Sequence, residues 1–201
     1  MHGMGSVMTQ GNSLTVAEGI AIALKRHGVE YVFAQSLPSA VILAAEAIGI
    51  TQIAYRQENM GGAMADGYAR VSGRIAVVAA QNGPAATLLV PPLAEAFKAS
   101  IPVVALVQDV ERPQLDRNAF QELDHFALFA SCAKWVRRIL TADRVDDYVD
   151  SAFVAAGSGR PGPAVLLLPA DCCEKRRLHP ARGGTSATRP GRLIVRGPNP
   201  E

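Results

Sequence analysis

The 201-residue chain is 49% apolar and 19% charged with a net charge of +2. That is the balance of one soluble globular domain plus some tail, and it excludes disordered, collagen-like and low-complexity classes. No run approaches the roughly 18 uninterrupted apolar residues of a membrane span, because Pro, Gly or a charge breaks each one.

Residues 1–12 have neither a basic start nor an apolar stretch and read as a flexible leader rather than a secretion signal. A helix follows, capped by Ser13 or Thr15, with Val16, Ile20, Ala23 and Leu24 on one face and a stop at Gly28. His27 sits at its end, where a cation suits the helix dipole. Tyr31 to Ala34 form a short buried strand. A second helix runs from after Pro38 to about Ile48, and Ile50 to Tyr55 form the next strand. Glu58 to Val71 read as a helix, Ile75 to Ala80 as a strand, and Pro84 to about Ala99 as a long helix with proline at its tolerated first turn. Pro91 and Pro92 predict a kink or break inside that helix. Pro102 to Val107 is a strand, followed by a polar loop from Gln108 to Arg117. A helix around Ala119 to Ala130, a strand around Lys134 to Leu140, a helix from Arg144 to Ala156 and a strand from Ala164 to Leu168 complete the body, and after Pro169 these signals stop.

Strands that are nearly continuous Val, Ile, Leu and Ala are buried on both faces. The expectation is an α/β fold: a doubly wound, mainly parallel six-stranded sheet with helices on both faces. Strand order is not readable. Residues 174–201 hold a local surplus of five positive charges, interspersed with Pro and Gly and without aromatics, so they read as a basic linker leading toward a missing central domain rather than a nucleic-acid surface. No membrane or nucleic-acid partner is expected. Cys132, Cys172 and Cys173 have no metal or redox spacing and predict a reducing, cytoplasmic setting.

GSGRPG at Gly157 to Gly162 matches a dinucleotide fingerprint in form only, because it leaves a helix and enters a strand, the reverse of what phosphate binding needs. His125, among Phe126, Leu128 and Phe129, reads as structural or surface, and no histidine makes a metal site. A more informative segment begins at the strand–helix junction of Glu58, where open α/β sheets place their ligands. The helix behind it is unusually small-faced, with Gly61, Gly62, Ala63, Ala65, Gly67 and Ala69. Glycine in a helix costs about 1 kcal/mol relative to alanine, so another backbone or a partner subunit is expected to approach closely there.

Four blocks in order, Arg56-Gln57-Glu58-Asn59-Met60-Gly61-Gly62 through Gly73, then Asn82 to Thr87, Ala119 to Glu122 and Ser158 to Pro163, resemble the pyrimidine-binding (PYR) domain of thiamine diphosphate enzymes, nearest the acetolactate synthase and benzoylformate decarboxylase group. The resemblance covers about residues 13–172 and makes 13–173 the PYR domain. It implies that Glu58 hydrogen-bonds the aminopyrimidine ring of thiamine diphosphate and promotes its imino tautomer, so that the cofactor can act on a 2-keto acid in decarboxylation or carboligation. It also implies that Gly83 and Pro84 pack against the pyrimidine, that Gln121 contacts the cofactor, and that Phe120 reaches the substrate region. Mg2+ is expected only through a PP domain, whose Gly-Asp-Gly signature this sequence lacks, so this chain alone is expected to be inactive. A homo-oligomer, dimer or tetramer, or a PP-domain partner is then implied. The sequence departs from its group at Gln57, where many members carry histidine, and at Leu88, where a polar residue is common. A non-catalytic binding or assembly module keeping the same fold is the alternative.

Overall fold

The computed structural model describes residues 14–173; the leader at 1–12 and the linker at 174–201 lie outside them. In chain order the elements are α1 (Val16–Arg26), β1 (Tyr31–Ala34), α2 (Ser39–Ala47), β2 (Thr51–Ala54), α3 (Glu58–Ser72), β3 (Ala76–Ala80), α4 (Pro84–Leu88), α5 (Val90–Ala99), β4 (Val103–Asp109), α6 (His125–Phe129), β5 (Trp135–Arg138), α7 (Val145–Gly157), β6 (Ala164–Pro169) and α8 (Ala170–Cys173). The six strands form one sheet in the order β2-β1-β3-β4-β6-β5, and every pairing is parallel.

Alternate strand residues feed two apolar layers, one per face of the sheet. Val32, Val77, Val104 and Leu166 pack with α1, α2 and α7. Phe33, Val78, Ala105 and Leu167 pack with α3, α4, α5 and α6. This arrangement is the expected doubly wound layer, and it explains the unbroken apolar runs of β3, β4 and β6, whose side chains are nearly all buried. The edge strands differ from the expectation of burial on both faces. β2 is exposed or half-buried along its length and β5 is only partly covered, because each has a neighbour on one side only.

Thr15, not Ser13, caps α1: its hydroxyl accepts from the Glu18 amide, and the Glu18 carboxylate accepts from the Thr15 amide at 2.7 Å. His27 at the other end stacks on Phe153 with ring centroids 4.1 Å apart and reaches Asp150 at 2.7 Å, tying α1 to α7. The expected break in the 84–99 helix falls at Leu89, so that Pro91 and Pro92 occupy the first turn of α5, where no N–H is needed. After Pro169 the chain does not become irregular; α8 follows and buries Cys172 and Cys173 against the core.

The helix expected at Ala119–Ala130 is corrected. Only His125–Phe129 is helical, with Asp124 capping it. Asp116, Asn118 and Gln121 all have positive φ, a region that right-handed helix cannot use. The Glu122 carboxylate accepts the amides of Asp116 and Ala119 at 2.6 and 2.9 Å, so the segment folds around an internal anion. In the Gly157–Gly162 loop, Arg160 caps the end of α5 through the carbonyls of Phe97 and Lys98.

Candidate cofactor site at the carboxyl edge of the sheet

Because all strands are parallel, the segments after β1, β2, β3 and β4 emerge on the same edge. Strand order reverses between β1 and β3, which makes their carboxyl ends a topological switch point. Glu58 is the first residue of α3, half-buried. No hydrogen bond from any described residue reaches its carboxylate, and the start of a 15-residue helix favours an anion there.

What seats this helix is Tyr55. Its ring lies under Gly61, where an added Cβ would come within 2.3 Å of Tyr55 Cδ1. The phenol donates to the Ala79 carbonyl at 2.6 Å. Burial and then the Glu58 charge push the Tyr55 pKa well above its usual range, so the proton stays on the donor. Gly62 lies against Pro92 of α5, with a Cβ position 2.4 Å from Pro92 Cγ. Ala65 and Ala69 are buried beneath the same helix. These residues of the small face are therefore used within the chain: the close approach is made by its own Tyr55 and Pro92. The ends of β1 and β2 are joined alongside by Gln52, whose amide donates to the Ala34 and Gln35 carbonyls, and by Gln35, which donates to the Arg56 carbonyl.

The loop after β3 meets the loop after β4. Asn82, 4% exposed, donates from Nδ2 to the carbonyls of Phe120 and Gln121 at 3.3 and 3.1 Å. Gly83 has φ 62 and ψ −125, and an added Cβ would stand 2.6 Å from Gln121 Cβ and 2.7 Å from its carbonyl oxygen. Pro84 then opens α4. Gln121 Oε1 is buried without a hydrogen-bond partner, whereas Phe120 is 80% exposed. An open cleft of about 200 Å³ runs between Gln81, Asn82, Gln108, Glu111 and Phe120. The structure thus brings Gly83, Pro84, Phe120 and Gln121 together, and places Glu58 on the same edge without joining it to them by a hydrogen bond.

Behind the loop lies a polar chain that the sequence did not reveal. The Gly83 amide donates to His125 Nε2 at 3.1 Å, and His125 Nδ1 lies 3.1 Å from Asp109 Oδ1. Asp109 Oδ2 accepts from Arg138 Nε at 2.6 Å. Burial alone would raise the Asp109 pKa; hydrogen bonds from His125 and Arg138 outweigh it and hold the carboxyl below its usual value. His125 is completely buried, which corrects the surface reading. Its partners are 16 and 42 residues away, so no local pattern signals them. Glu122 lies in the Ala119–Glu122 block, and its part is visible only in the amide contacts it accepts.

The profile described as "Thiamine pyrophosphate enzyme, N-terminal TPP binding domain" matches residues 14–128. Among curated proteins, the chain is 36% identical to "Acetolactate synthase" of Arthrospira platensis over 164 residues, covering 79% of this chain and 28% of that protein. It is 40% identical over 116 residues to "Acetolactate synthase catalytic subunit, mitochondrial" of Saccharomyces cerevisiae, covering 58% of this chain and 17% of that one. To "Acetolactate synthase isozyme 2 large subunit" of Escherichia coli it is 35% identical over 159 residues, covering 77% and 29%. The chain spans less than a third of the length of these relatives. Among the described residues no helix is long and apolar enough to cross a membrane.

Proposed function

The chain belongs to the family of thiamine pyrophosphate enzyme N-terminal TPP binding domains, in a form similar to acetolactate synthases, and on that premise we propose that residues 13–173 are the pyrimidine-binding half of an enzyme acting on 2-keto acids. The reaction class is decarboxylation or carboligation, as in acetolactate synthases. The observation that carries this reading is the Glu58 carboxylate: first residue of α3, half-buried at the switch-point edge, and free of any hydrogen bond from the described residues.

The residues present fit a flat nitrogen heterocycle. Gly83, lacking a Cβ, lets its loop close directly against Gln121, and the orphaned Gln121 Oε1 is an acceptor suited to an exocyclic amine. Thiamine diphosphate, when bound, supplies the electron sink for cleavage next to a carbonyl. Glu58 holds and exchanges a proton at the pyrimidine ring nitrogen, where a charge-assisted bond in a drying site is short and strong. Tyr55 and Gly61 fix the first turn of α3, so the carboxylate stays oriented. Gly83 and Pro84 pack against the ring, Gln121 orients it, and the exposed Phe120 flanks the substrate. A PP domain, on a longer form of this chain or on a partner, would hold magnesium and the diphosphate, in a homo-oligomer, dimer or tetramer, within the cytoplasm.

Glu58→Gln tests the assignment by keeping shape while removing proton affinity. In the enzyme assembled with its diphosphate-binding half, hydrogen–deuterium exchange at the cofactor's reactive carbon falls about 10²- to 10⁴-fold, the range expected for loss of a positioned proton carrier. Exchange at the wild-type rate removes Glu58 from the mechanism, and a wild-type assembly that exchanges no faster than the free cofactor favours a non-catalytic binding or assembly module instead.

A further inference from the structure

The Gly83 amide is the last backbone donor before α4, since Pro84 has none. It ends on an imidazole nitrogen rather than on a carbonyl. An amide can only donate, so His125 Nε2 carries the lone pair, and the proton of a neutral ring is on Nδ1, facing Asp109. Asp109 is satisfied in turn by the Val110 amide on Oδ1 and by Arg138 on Oδ2. Each member accepts or donates in one direction only, so the chain Arg138–Asp109–His125–Gly83 has one consistent proton arrangement. It connects β5, β4 and α6 to the loop that opens α4.

We infer that His125 is a positioning residue for the Gly83–Pro84 loop, acting as the fixed acceptor that holds the Gly83 backbone in its positive-φ geometry against the cofactor ring. This rests on the proposed cofactor reading. A buried neutral imidazole has one donor and one acceptor nitrogen to satisfy; Asp109 takes the Nδ1 proton, and the lone pair of Nε2 is met by the Gly83 backbone rather than by a side chain of the core. The second bond ends on the one residue in this loop with φ 62, and that residue leaves no room for a side chain between it and Gln121. Arg138 is fixed by Asp109 and also lies over the Phe126 ring at 5.2 Å, so the far end of the chain is anchored too. The arrangement resembles the way an orienting carboxylate fixes the tautomer of a functional histidine, here with a backbone amide as the receiver.

Nitrogen-15 NMR of the 201-residue chain tests the geometry directly. The expected result is a pyrrole-like Nδ1, a pyridine-like Nε2 and a scalar coupling across the hydrogen bond from the Gly83 amide nitrogen to Nε2. A proton on Nε2, or absence of that coupling, overturns the inference. Two variants test the consequence. His125→Leu removes the acceptor, while His125→Gln keeps an oxygen within reach of Gly83 and a donor toward Asp109. In the assembled enzyme, thiamine diphosphate affinity by calorimetry drops about tenfold for His125→Leu, the scale of one buried hydrogen bond, and His125→Gln restores most of it. Equal affinities in wild type and both variants refute the positioning role even where the coupling is present. If His125→Leu does not fold, His125→Gln and the wild-type coupling still decide the matter. The Glu58 exchange experiment is independent, so failure of the cofactor reading is distinguished from failure of this one.

Discussion

Replacing Gly83 by alanine adds two penalties with nothing favourable to offset them. The backbone at φ 62 and ψ −125 is costly for any residue with a side chain, by about 1–3 kcal/mol. The new methyl would stand 2.7 Å from the Gln121 carbonyl oxygen and 3.1 Å from its Cα. Those are backbone atoms, held by the Asn82 amide at 3.1 Å, so relief requires moving the whole loop, another about 1–3 kcal/mol of overpacking. A total near 4 kcal/mol lowers Tm by about 8–16 °C at the 2–4 °C per kcal/mol typical of this size. Gly73→Ala is the control. Its φ of 67 is equally left-handed, but nothing lies within 4 Å of the added Cβ, so it loses only about 1 kcal/mol. Thermal unfolding followed by circular dichroism, with both variants side by side, makes the comparison. If Gly83→Ala melts within about 3 °C of Gly73→Ala, the close approach of Gln121 does not exist as described.

Gly62→Ala gains about 1 kcal/mol of helix propensity, yet its methyl meets Pro92 at 2.4 Å. Denaturant unfolding is therefore expected to show a net loss of about 1–2 kcal/mol, and a stabilised variant would contradict the packing of α3 on α5. Asp109 has its folded pKa depressed, so its contribution is fully present above the unfolded carboxylate value near 3.9 and is lost as pH falls through the lower folded value. Asp109→Asn flattens that acid limb, leaving the parts due to the likewise depressed Asp150 and Glu122, and at neutral pH costs about 3 kcal/mol because Arg138 loses its counter-charge; an unchanged acid limb would argue against the Arg138–Asp109–His125 hydrogen bonds. Glu122→Gln weakens the bonds that hold the Asp116 and Ala119 amides. Hydrogen exchange at residues 116–119 then accelerates while β3 and β4 amides stay protected, and uniform acceleration would mean the carboxylate does more than shape this loop.

Residues 14–173 were legible where the signal is local. Unbroken Val, Leu and Ala runs separated by helical periods sufficed for a parallel two-layered sheet, because a strand covered on both faces needs no polar alternation. The capping box of α1 and the prolines that begin α4 and α5 act over a single turn. Gly83, Pro84, Phe120 and Gln121 stood out through their resemblance blocks, whereas Glu58 was marked beforehand by its place at a strand–helix junction. Strand order was decided only in three dimensions, since pairing β6 between β4 and β5 depends on contacts from across the chain. The helix expected at 119–130 failed for a physical reason: Gln121 is left-handed inside it, and Glu122 offers its carboxylate to the Asp116 and Ala119 amides, a turn that no propensity scale anticipates. The small face of α3 was visible as composition, yet what fills it, Tyr55 and Pro92, is a matter of tertiary packing. His125, Asp109 and Arg138 reach one another and Gly83 only after the sheet forms, because hydrogen bonds between residues tens of positions apart leave no trace in the sequence between them.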